Sequence, residues 1–497
     1  MRAILFAALS IAALVVAGCS GNNGNTSTSS TDTTPPLPAP GQVPVVHRAD
    51  GVIVDASQYP GDIPVMAEHY VAKRGSGEPT IGVNARGAAI YPSIEFDAVA
   101  AMPGAAPRTL IYISTDNGTT WTDRTPTIGN AGAVAGNPVS LDPFVYADPA
   151  TGRLFTIDLY VGCADLSYTD DDGVTWTTNP IACGIPVDDH QSIAAGPVVA
   201  PAVPNPVYPR VLYYCVNQIA ATSCSRSLDG GLDWVAGAPP YPGATSGQGE
   251  GGQPDFCGGL SGHVYASQKT GTVFLPKGQC GFPEVARSTD MGTTWTQVVV
   301  DGTAGISGHD GSVAADANGT VYYFWLDGQG FPRLAVSHDD GQTFEASMNV
   351  TAPGVTAAKF PAVTAGDGGR IAFLYVGSTV PGGFTAKDAA LANATWNGYL
   401  GFSLDADKPD PVFASVTANP VVDPLKRGAC AGRCSGMFDF FDIQIHPKTG
   451  QVWVSLVDLC NDTCATPTGT AKDTITSRGA VGVQMGGTML RRTPVAG

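Results

Sequence analysis

Basic residues are scarce in this 497-residue sequence. Lysine and arginine together number 26, against 43 aspartates and glutamates, which gives a formal net charge of −17 and an isoelectric point near 4.6. Nucleic-acid phosphates attract basic surfaces, so this balance argues against a nucleic-acid-binding protein. It leaves sugars, cations and basic proteins open as partners.

Long apolar runs are also lacking, apart from one at the N-terminus. Arg2 precedes an apolar stretch, Ala3 to Ala17, that is too short for a membrane span and is typical of a signal peptide. The junction Val16-Ala17-Gly18-Cys19 resembles a bacterial lipobox, whose cysteine becomes the lipid-modified first residue. The alternative is an ordinary secretory signal followed by an incidental cysteine.

These features predict the domain organisation. We expect a lipoprotein signal peptide at 1–18, Cys19 as the lipidation site, and a tether at 19–42 that is too rich in Ser, Thr, Asn and Pro to form a core. Residues 43–497 then form the folded domain. The predicted location is the cell envelope, outside the cytoplasm, with the lipid anchor as the contact to the membrane.

Five copies of one pattern, Ser/Thr-x-Asp-x-Gly-x-Thr/Asp-Trp/Phe, are present in that domain. They occupy 114–121, 169–176, 227–234, 288–295 and 337–344, so successive copies begin 55, 58, 61 and 49 residues apart. The aspartate can accept backbone N–H bonds, the glycine tolerates positive φ, and the aromatic side chain can be buried. We interpret the copies as structural turns of a radially repeated β-structure. The Asp170-Asp171-Asp172 copy is the one to check for a bound cation.

The pattern is similar to the Asp boxes, or BNR repeats, of sialidase-like β-propellers. The resemblance implies an all-β propeller of four-stranded blades, here in a bacterial lipoprotein. The boxes would be turns between the third and fourth strands, C and D, on the bottom face. The B–C and D–A loops would form the top face, where propellers of this family bind ligands.

A second repeat, two apolar strands joined by a turn with glycine, sets the number of blades. Units begin near residues 78, 141, 188, 260, 309, 360 and 438, which favours seven blades, with six as the alternative. The 62 glycines and 39 prolines suit such short strands and frequent turns. In the sixth unit the box has decayed to Ser403-Leu-Asp405-Ala-Asp407. We expect residues 43–57 to pair with the last blade and close the ring.

Ten cysteines besides Cys19 fall in segments assigned to the top face. An even number in an extracytoplasmic protein favours disulfides over zinc. The expected bonds are Cys163–Cys183, Cys215–Cys224, Cys257–Cys280 and two that link Cys430 and Cys434 with Cys460 and Cys464 in undetermined order. A four-cysteine metal site built from the two CxxxC pairs is the alternative.

Acidic and histidine residues recur where the innermost strands begin on the top face. The candidate catalytic residues are Asp142, Asp189, His190, Asp310 and Asp439, and the candidate binding residues are Glu78, His309 and Asp442. Such a ring could bind Ca²⁺ through oxygen ligands, or supply the acid and base of a glycosidase. It could equally cap turns and face solvent. No metal site is assigned from the sequence.

Sialidase chemistry, which the resemblance implies, finds little support in the residues. Enzymes of that family hold the substrate carboxylate with three arginines, one of them in an Arg-Ile-Pro motif, and use a tyrosine nucleophile assisted by a glutamate. This sequence has no Arg-Ile-Pro and only six glutamates. Only three arginines and three glutamates map near the top face: Arg108, Arg427, Arg433, Glu78, Glu250 and Glu284.

Two functions stay open at this point. One is a lipid-anchored, sialidase-like propeller that binds glycans through its top-face loops and could hydrolyse them as a glycoside hydrolase. The other is a non-enzymatic scaffold for binding or assembly at the cell surface. In both cases we expect a monomer with a glycan or another cell-surface ligand as its partner.

Overall fold

Seven sheets of four antiparallel strands form a ring in the computed structural model, which confirms the prediction of a seven-bladed β-propeller. The inner strand of each blade contacts the next blade around the ring. The structure describes residues 43–71, 76–95, 108–126, 142–160, 163–181, 188–218, 222–241, 260–277, 281–306, 311–380, 393–430, 434, 436–437, 440–461, 464 and 477–492.

In each blade, strands A to D follow one another from the propeller axis outwards. Blade 1 contains Gly82–Val83, Ala89–Glu95, Arg108–Ser114 and Thr122–Asp123. Blade 2 contains Phe144–Ala147, Leu154–Tyr160, Cys163–Thr169 and Thr177–Ile181. Blade 3 contains Asp188–Pro197, Arg210–Gln218, Thr222–Ser227 and Val235–Ala236. Blade 4 contains Tyr265–Ala266, Val273–Lys277, Glu284–Ser288 and Thr296–Val299.

In blades 6 and 7, some strands come from elsewhere in the sequence than the rest of the blade. Blade 5 contains Ser312–Ala315, Val321–Leu326, Pro332–Ser337 and Met348–Asn349. Blade 6 contains Ala357–Ala365, Ile371–Ser378, Thr395–Ser403 and Val412–Thr417, with Val45–Arg48 and Lys426–Arg427 as extra strands. Blade 7 contains Ile443–Ile445, Val452–Asp458, Arg478–Gly486 and Val65–Tyr70. A short 3-10 helix spans Ala56–Gln58, and among the described ranges no helix is long and apolar enough to cross a membrane.

Burial explains the composition of the strands. The second strand of blade 5, Val321–Leu326, reads VYYFWL and is buried at every position. Such a strand packs against a neighbouring blade on both faces, so it is apolar throughout rather than alternating. The outermost strand of blade 4, Thr296–Val299, is largely exposed because only one of its edges is paired.

Ring closure differs from the expectation that residues 43–57 would pair with the last blade. Val45–Arg48 instead adds a fifth strand to blade 6 by pairing with Val412–Thr417. The closing strand is Val65–Tyr70, which pairs with Arg478–Gly486 as the outermost strand of blade 7. Each of these N-terminal segments pairs with the open edge of a sheet. Because either edge can accept an apolar strand, the sequence did not show which segment pairs with which blade.

The five repeats are hydrogen-bonded turns on the bottom face. In the second copy, the Thr169 hydroxyl donates to Asp171 at 2.8 Å and accepts the Gly173 N–H at 2.9 Å. The Thr175 N–H and hydroxyl both donate to Asp171, at 2.8 and 2.7 Å, and these bonds lower the pKa of Asp171 to about 2. The carboxylates at Asp116, Asp229, Asp290 and Asp339 are held in the same way.

Two of the three carboxylates of the acidic triplet in the second copy pair with arginines. Asp170 accepts two bonds from Arg153, at 2.8 and 2.7 Å. Asp172 forms an ion pair at 2.7 Å with Arg86, which lies in the A–B turn of blade 1. The second pair joins two blades, so the triplet stabilises the ring rather than presenting free carboxylates.

The glycine of each repeat packs against the preceding blade. Gly173 and Gly341 have φ values of 84° and 77°, in the left-handed region. A Cβ at Gly173 would lie 2.5 Å from Ile113 of blade 1, and one at Gly341 would lie 2.6 Å from Phe274 of blade 4. Glycine is therefore required both for the backbone conformation and for the approach between blades.

Three disulfides lie in the described part of the chain. Cys215–Cys224 is present as predicted. The other two correct the sequence prediction, because Cys430 pairs with Cys434 and Cys460 with Cys464 instead of linking the two pairs. Each CxxxC segment folds tightly enough to bring its own cysteines together, with Cα atoms 4.1 and 4.9 Å apart. The expected Cys163–Cys183 and Cys257–Cys280 bonds involve side chains outside the described residues.

One carboxyl group is buried in the wall of blade 2. Asp158 is 1% exposed. Burial raises the pKa of Asp158 to about 7; the neighbouring Thr109 side chain lowers this pKa by less, and Asp165 raises it further. Between about pH 4 and pH 7, Asp158 is therefore protonated in the native structure. In the unfolded chain, where the pKa of an aspartate is near 4, it has lost the proton over this pH range.

Substitution of the glycine in the fifth repeat tests the packing between blades. Gly341→Ala adds a strained φ and a clash with Phe274, so we expect a loss of about 2–5 kcal/mol in the free energy of unfolding. Gly51→Ala is the matched control, because Gly51 also has positive φ but has no atom within 4 Å of the position that a Cβ would take. It should lose only about 1–2 kcal/mol. Equal losses in urea unfolding would contradict the packing role.

The buried Asp158 predicts a pH-dependent stability. Because its folded pKa lies above the unfolded one, its contribution to stability is complete below about pH 4 and is lost as the pH rises to about 7, by about 1.4 kcal/mol per unit. Asp158→Asn should therefore gain stability relative to the natural protein as the pH rises from 5 to 8. Urea unfolding at each pH measures this difference. The exposed Asp410→Asn serves as control, and a constant difference for Asp158→Asn would refute the prediction.

Candidate functional site

A channel along the propeller axis contains a cavity of about 320 Å³. All seven inner strands, or the residues next to them, contribute to its wall. Its lining is mainly apolar and aromatic, with a small number of polar side chains. An axial cavity of this kind is where a ring of blades brings together residues that are far apart in sequence.

Four predicted site residues meet at the top end of the channel. The His190 N–H donates to Asp142 at 3.2 Å, and the side chains of Glu78 and Asp189 hydrogen-bond to the Asp142 carboxyl group. We call Glu78, Asp142 and Asp189 the axial carboxyl cluster. Glu78 and Asp142 are 2% and 8% exposed, whereas Asp189 is partly open to solvent.

Backbone conformation positions two members of this group. Glu78 and His190 have φ values of 49° and 56°, a region that side chains rarely adopt. His190 also interrupts the register between the first two strands of blade 3, where pairing shifts between Asp189 and Ser192. Such local strain is concentrated at functional sites, where the surrounding structure holds it in place.

Asp142 is the member of the axial carboxyl cluster whose pKa is shifted by the others. Burial raises the pKa of Asp142, but hydrogen bonds from Glu78 and Asp189, the charge of His190 and its N–H together lower it more, so the pKa of Asp142 lies below its usual value. Asp142 accepts these hydrogen bonds, and its lowered pKa keeps it ionised near neutral pH.

An aromatic group packs beside the cluster across the channel axis. His190 and His263 stack with ring centroids 5.4 Å apart, and Phe440 from blade 7 contacts both rings, at 5.0 and 4.6 Å. Phe144 contacts His263 at 4.8 Å. Burial lowers the pKa of His263 well below its usual value, which keeps this ring neutral.

Asp442 lies in the channel wall and ties blade 7 to blade 1. It accepts the N–H of Ile81 at 3.3 Å and that of Ile443 at 2.8 Å. Burial raises the pKa of Asp442 to about 7, although these bonds act in the opposite direction. Asp442 was a predicted binding residue, and in the structure its carboxyl group is already held by backbone donors.

Three other candidates, His309, Asp310 and Asp439, lie outside the described residues. Within the described ranges, no group of three or more His, Cys, Asp or Glu side chains is arranged to hold a metal ion. Calcium binding therefore stays a prediction from the sequence.

A second polar group on the top face lies at the rim of blade 7. The Tyr70 hydroxyl donates to Asp458 at 3.2 Å, and the Arg478 guanidinium lies 4.7 Å from the Tyr70 ring centroid. Burial, with the charges of Asp458 and Asp423, raises the pKa of Glu68 to about 8. Burial is also the main cause that raises the pKa of Asp458 to about 6.

Sequence reasoning missed most of the aromatic group and of this rim group. Glu68 and Tyr70 lie in the closing strand, which the sequence had not placed in a blade. His263 follows Gly262 in a repeated strand signal, so its position at the start of an innermost strand was available as a clue. Phe440 lies in an irregular segment with no repeat to place it.

No protein-family model matches this sequence, and no curated protein matches it either. Solved structures with a similar shape include a protein of unknown function from Dyadobacter fermentans, which is 15% identical over 85% of this chain and 99% of that chain, with a TM-score of 0.42. A Hadza microbial sialidase is 16% identical over 69% of this chain and 66% of its own, with a TM-score of 0.40.

An α-L-arabinanase from Penicillium chrysogenum, solved with arabinobiose, is 14% identical over 72% of this chain and 98% of its own, with a TM-score of 0.36. All three TM-scores are below 0.5, so these similarities carry no conclusion about activity or ligand. The function of this protein therefore has to be inferred from its own residues.

Proposed function

We propose that this protein is a glycan-binding propeller whose sugar site lies on the top face, over the axial carboxyl cluster. The supporting observation is the meeting of Glu78, Asp142 and Asp189 with His190 at the end of the channel. Carboxylates and carboxyl groups provide both acceptors and donors for sugar hydroxyls. Asp189, the most accessible of the three, would make the direct contact.

The spacing of the cluster favours binding over hydrolysis. Glycosidases place two carboxyl groups on opposite sides of the scissile bond, about 5–5.5 Å apart in retaining enzymes and about 6.5–9.5 Å apart in inverting ones. In this cluster the groups are hydrogen-bonded to one another, which leaves no space for a glycosidic bond between them. We therefore propose a sugar-binding protein without hydrolase activity at this site.

The charge of the cluster favours neutral sugars. Asp142 is ionised, and the whole chain carries a formal charge of −17. An acidic sugar placed over this cluster would meet like charge in a partly buried site, which disfavours its binding. Neutral oligosaccharides are therefore the proposed ligand class.

A printed array of neutral and acidic oligosaccharides tests this proposal. We expect saturable binding to one or more neutral glycans. Asp189→Asn should weaken that binding about two- to tenfold, since a hydrogen bond to a side chain contributes about 0.5–1.5 kcal/mol. Titration calorimetry with the best glycan measures the change.

Asp410→Asn is the matched control, because it makes the same change of side chain at an exposed position on the bottom face. Its affinity should equal that of the natural protein. Release of reducing sugar from the bound glycan, abolished by Asp142→Asn, would overturn the assignment as a binding protein. Absence of binding to every glycan on the array would overturn the glycan site itself.

A further inference from the structure

The opposite, bottom end of the channel is crossed by a segment of chain that follows blade 7. After Gly487, which has a φ of 82°, residues 488–492 run across the A–B turns of blades 6 and 7. The Asp367 N–H donates to the Leu490 carbonyl at 2.8 Å, and the Leu490 N–H donates to the Gly450 carbonyl at 3.1 Å. Leu490 is fully buried, so this segment is held firmly.

The next residue brings a cationic side chain to the channel. Arg491 is part of the cavity wall, whereas Arg492 is exposed and its N–H bonds to Asp367. The Nε atom of Arg491 is buried and has no hydrogen-bond partner among the described residues. Because the Nε atom is buried, a bound anion would meet the Arg491 guanidinium at its Nη atoms.

The described residues of the cavity wall include more basic than acidic side chains, although the protein as a whole is acidic. Lys359 of blade 6 also lines it, and burial lowers the pKa of Lys359 to about 8, so that it stays mostly charged at neutral pH. Among the described lining residues Asp442 is the acidic side chain, and burial raises its pKa to about 7. Among the charged side chains of the described wall, Arg491 and Lys359 are thus basic and Asp442 is acidic, while Asp367, outside the wall, also acts on Arg491 by its charge.

The remaining wall suits an apolar group. It includes the rings of Phe144, His263, Tyr265 and Phe440 together with aliphatic side chains from the inner strands. A volume of about 320 Å³ lies at the lower end of the range found for small-molecule pockets. The cavity thus has the guanidinium of Arg491 at its bottom end and a mainly aromatic and aliphatic wall above it.

We propose that the axial channel binds a small organic anion, with its carboxylate or phosphate on the Arg491 guanidinium and its apolar part against the aromatic wall. The planar guanidinium has the geometry for a paired contact with either anion. This site lies at the other end of the channel from the axial carboxyl cluster. The proposal does not depend on glycan binding.

Titration calorimetry with three probes of similar shape tests this inference. Benzoate and phenyl phosphate carry the anion, whereas benzamide is the neutral analogue of benzoate. We expect saturable binding of at least one of the two anions and at least tenfold weaker binding of benzamide. If neither anion saturates, or if benzamide binds as well as benzoate, the inference is wrong.

Variants of two adjacent arginines identify the contact. Arg491→Gln should reduce the affinity for the anion at least tenfold, and Arg491→Lys should restore part of it. Arg492→Gln removes the same charge one residue further along the chain and should leave the affinity unchanged. Equal losses of affinity in Arg491→Gln and Arg492→Gln would mean that the anion responds only to the overall charge of the protein, which would refute the proposed contact with Arg491. Thermal unfolding of each variant verifies that the fold is intact.

Discussion

Backbone hydrogen bonds between Val65–Tyr70 and Arg478–Gly486 join an N-terminal strand to a C-terminal one and complete blade 7. Blade 7 in turn contacts blade 1 through its innermost strand and through Asp442, which accepts the Ile81 N–H. The axial channel and both of its ends exist only when this ring is closed, because each wall belongs to a different blade. The two proposed sites, on the top and bottom faces, therefore depend on a strand pairing that contains none of their residues.

The repeated turns on the bottom face hold adjacent blades together. The repeated turns satisfy their own aspartates with local donors, and their glycines allow close approach to the preceding blade. The Arg86–Asp172 pair adds a contact between blades 1 and 2. The top face carries the longer connections, and the three disulfides staple short loops within it. Disulfides of this kind fit an oxidising environment.

The two ends of the channel differ in charge. At the top, hydrogen bonds from Glu78 and Asp189 and the charge of His190 lower the pKa of Asp142 and keep it ionised. At the bottom, Arg491 brings a guanidinium whose Nε has no acceptor in the described structure. The His190–His263–Phe440 stack lies against the axis next to the carboxyl cluster. The aromatic and aliphatic wall of the cavity lies between these two polar ends.

The resemblance to Asp-box propellers, together with strand alternation, predicted the face on which Glu78, Asp142, Asp189 and His190 lie. The repeats alone were enough to predict seven blades and the turns at the five aspartates. They were sufficient because equivalent positions of a repeat occupy equivalent places around the ring. The closing strand, the pairing within each CxxxC segment, and the positions of Phe440 and Arg491 were decided only by tertiary structure. These residues lie in segments outside the repeats. Their neighbours are therefore set by the sheet edges and turns that are available once the ring has closed.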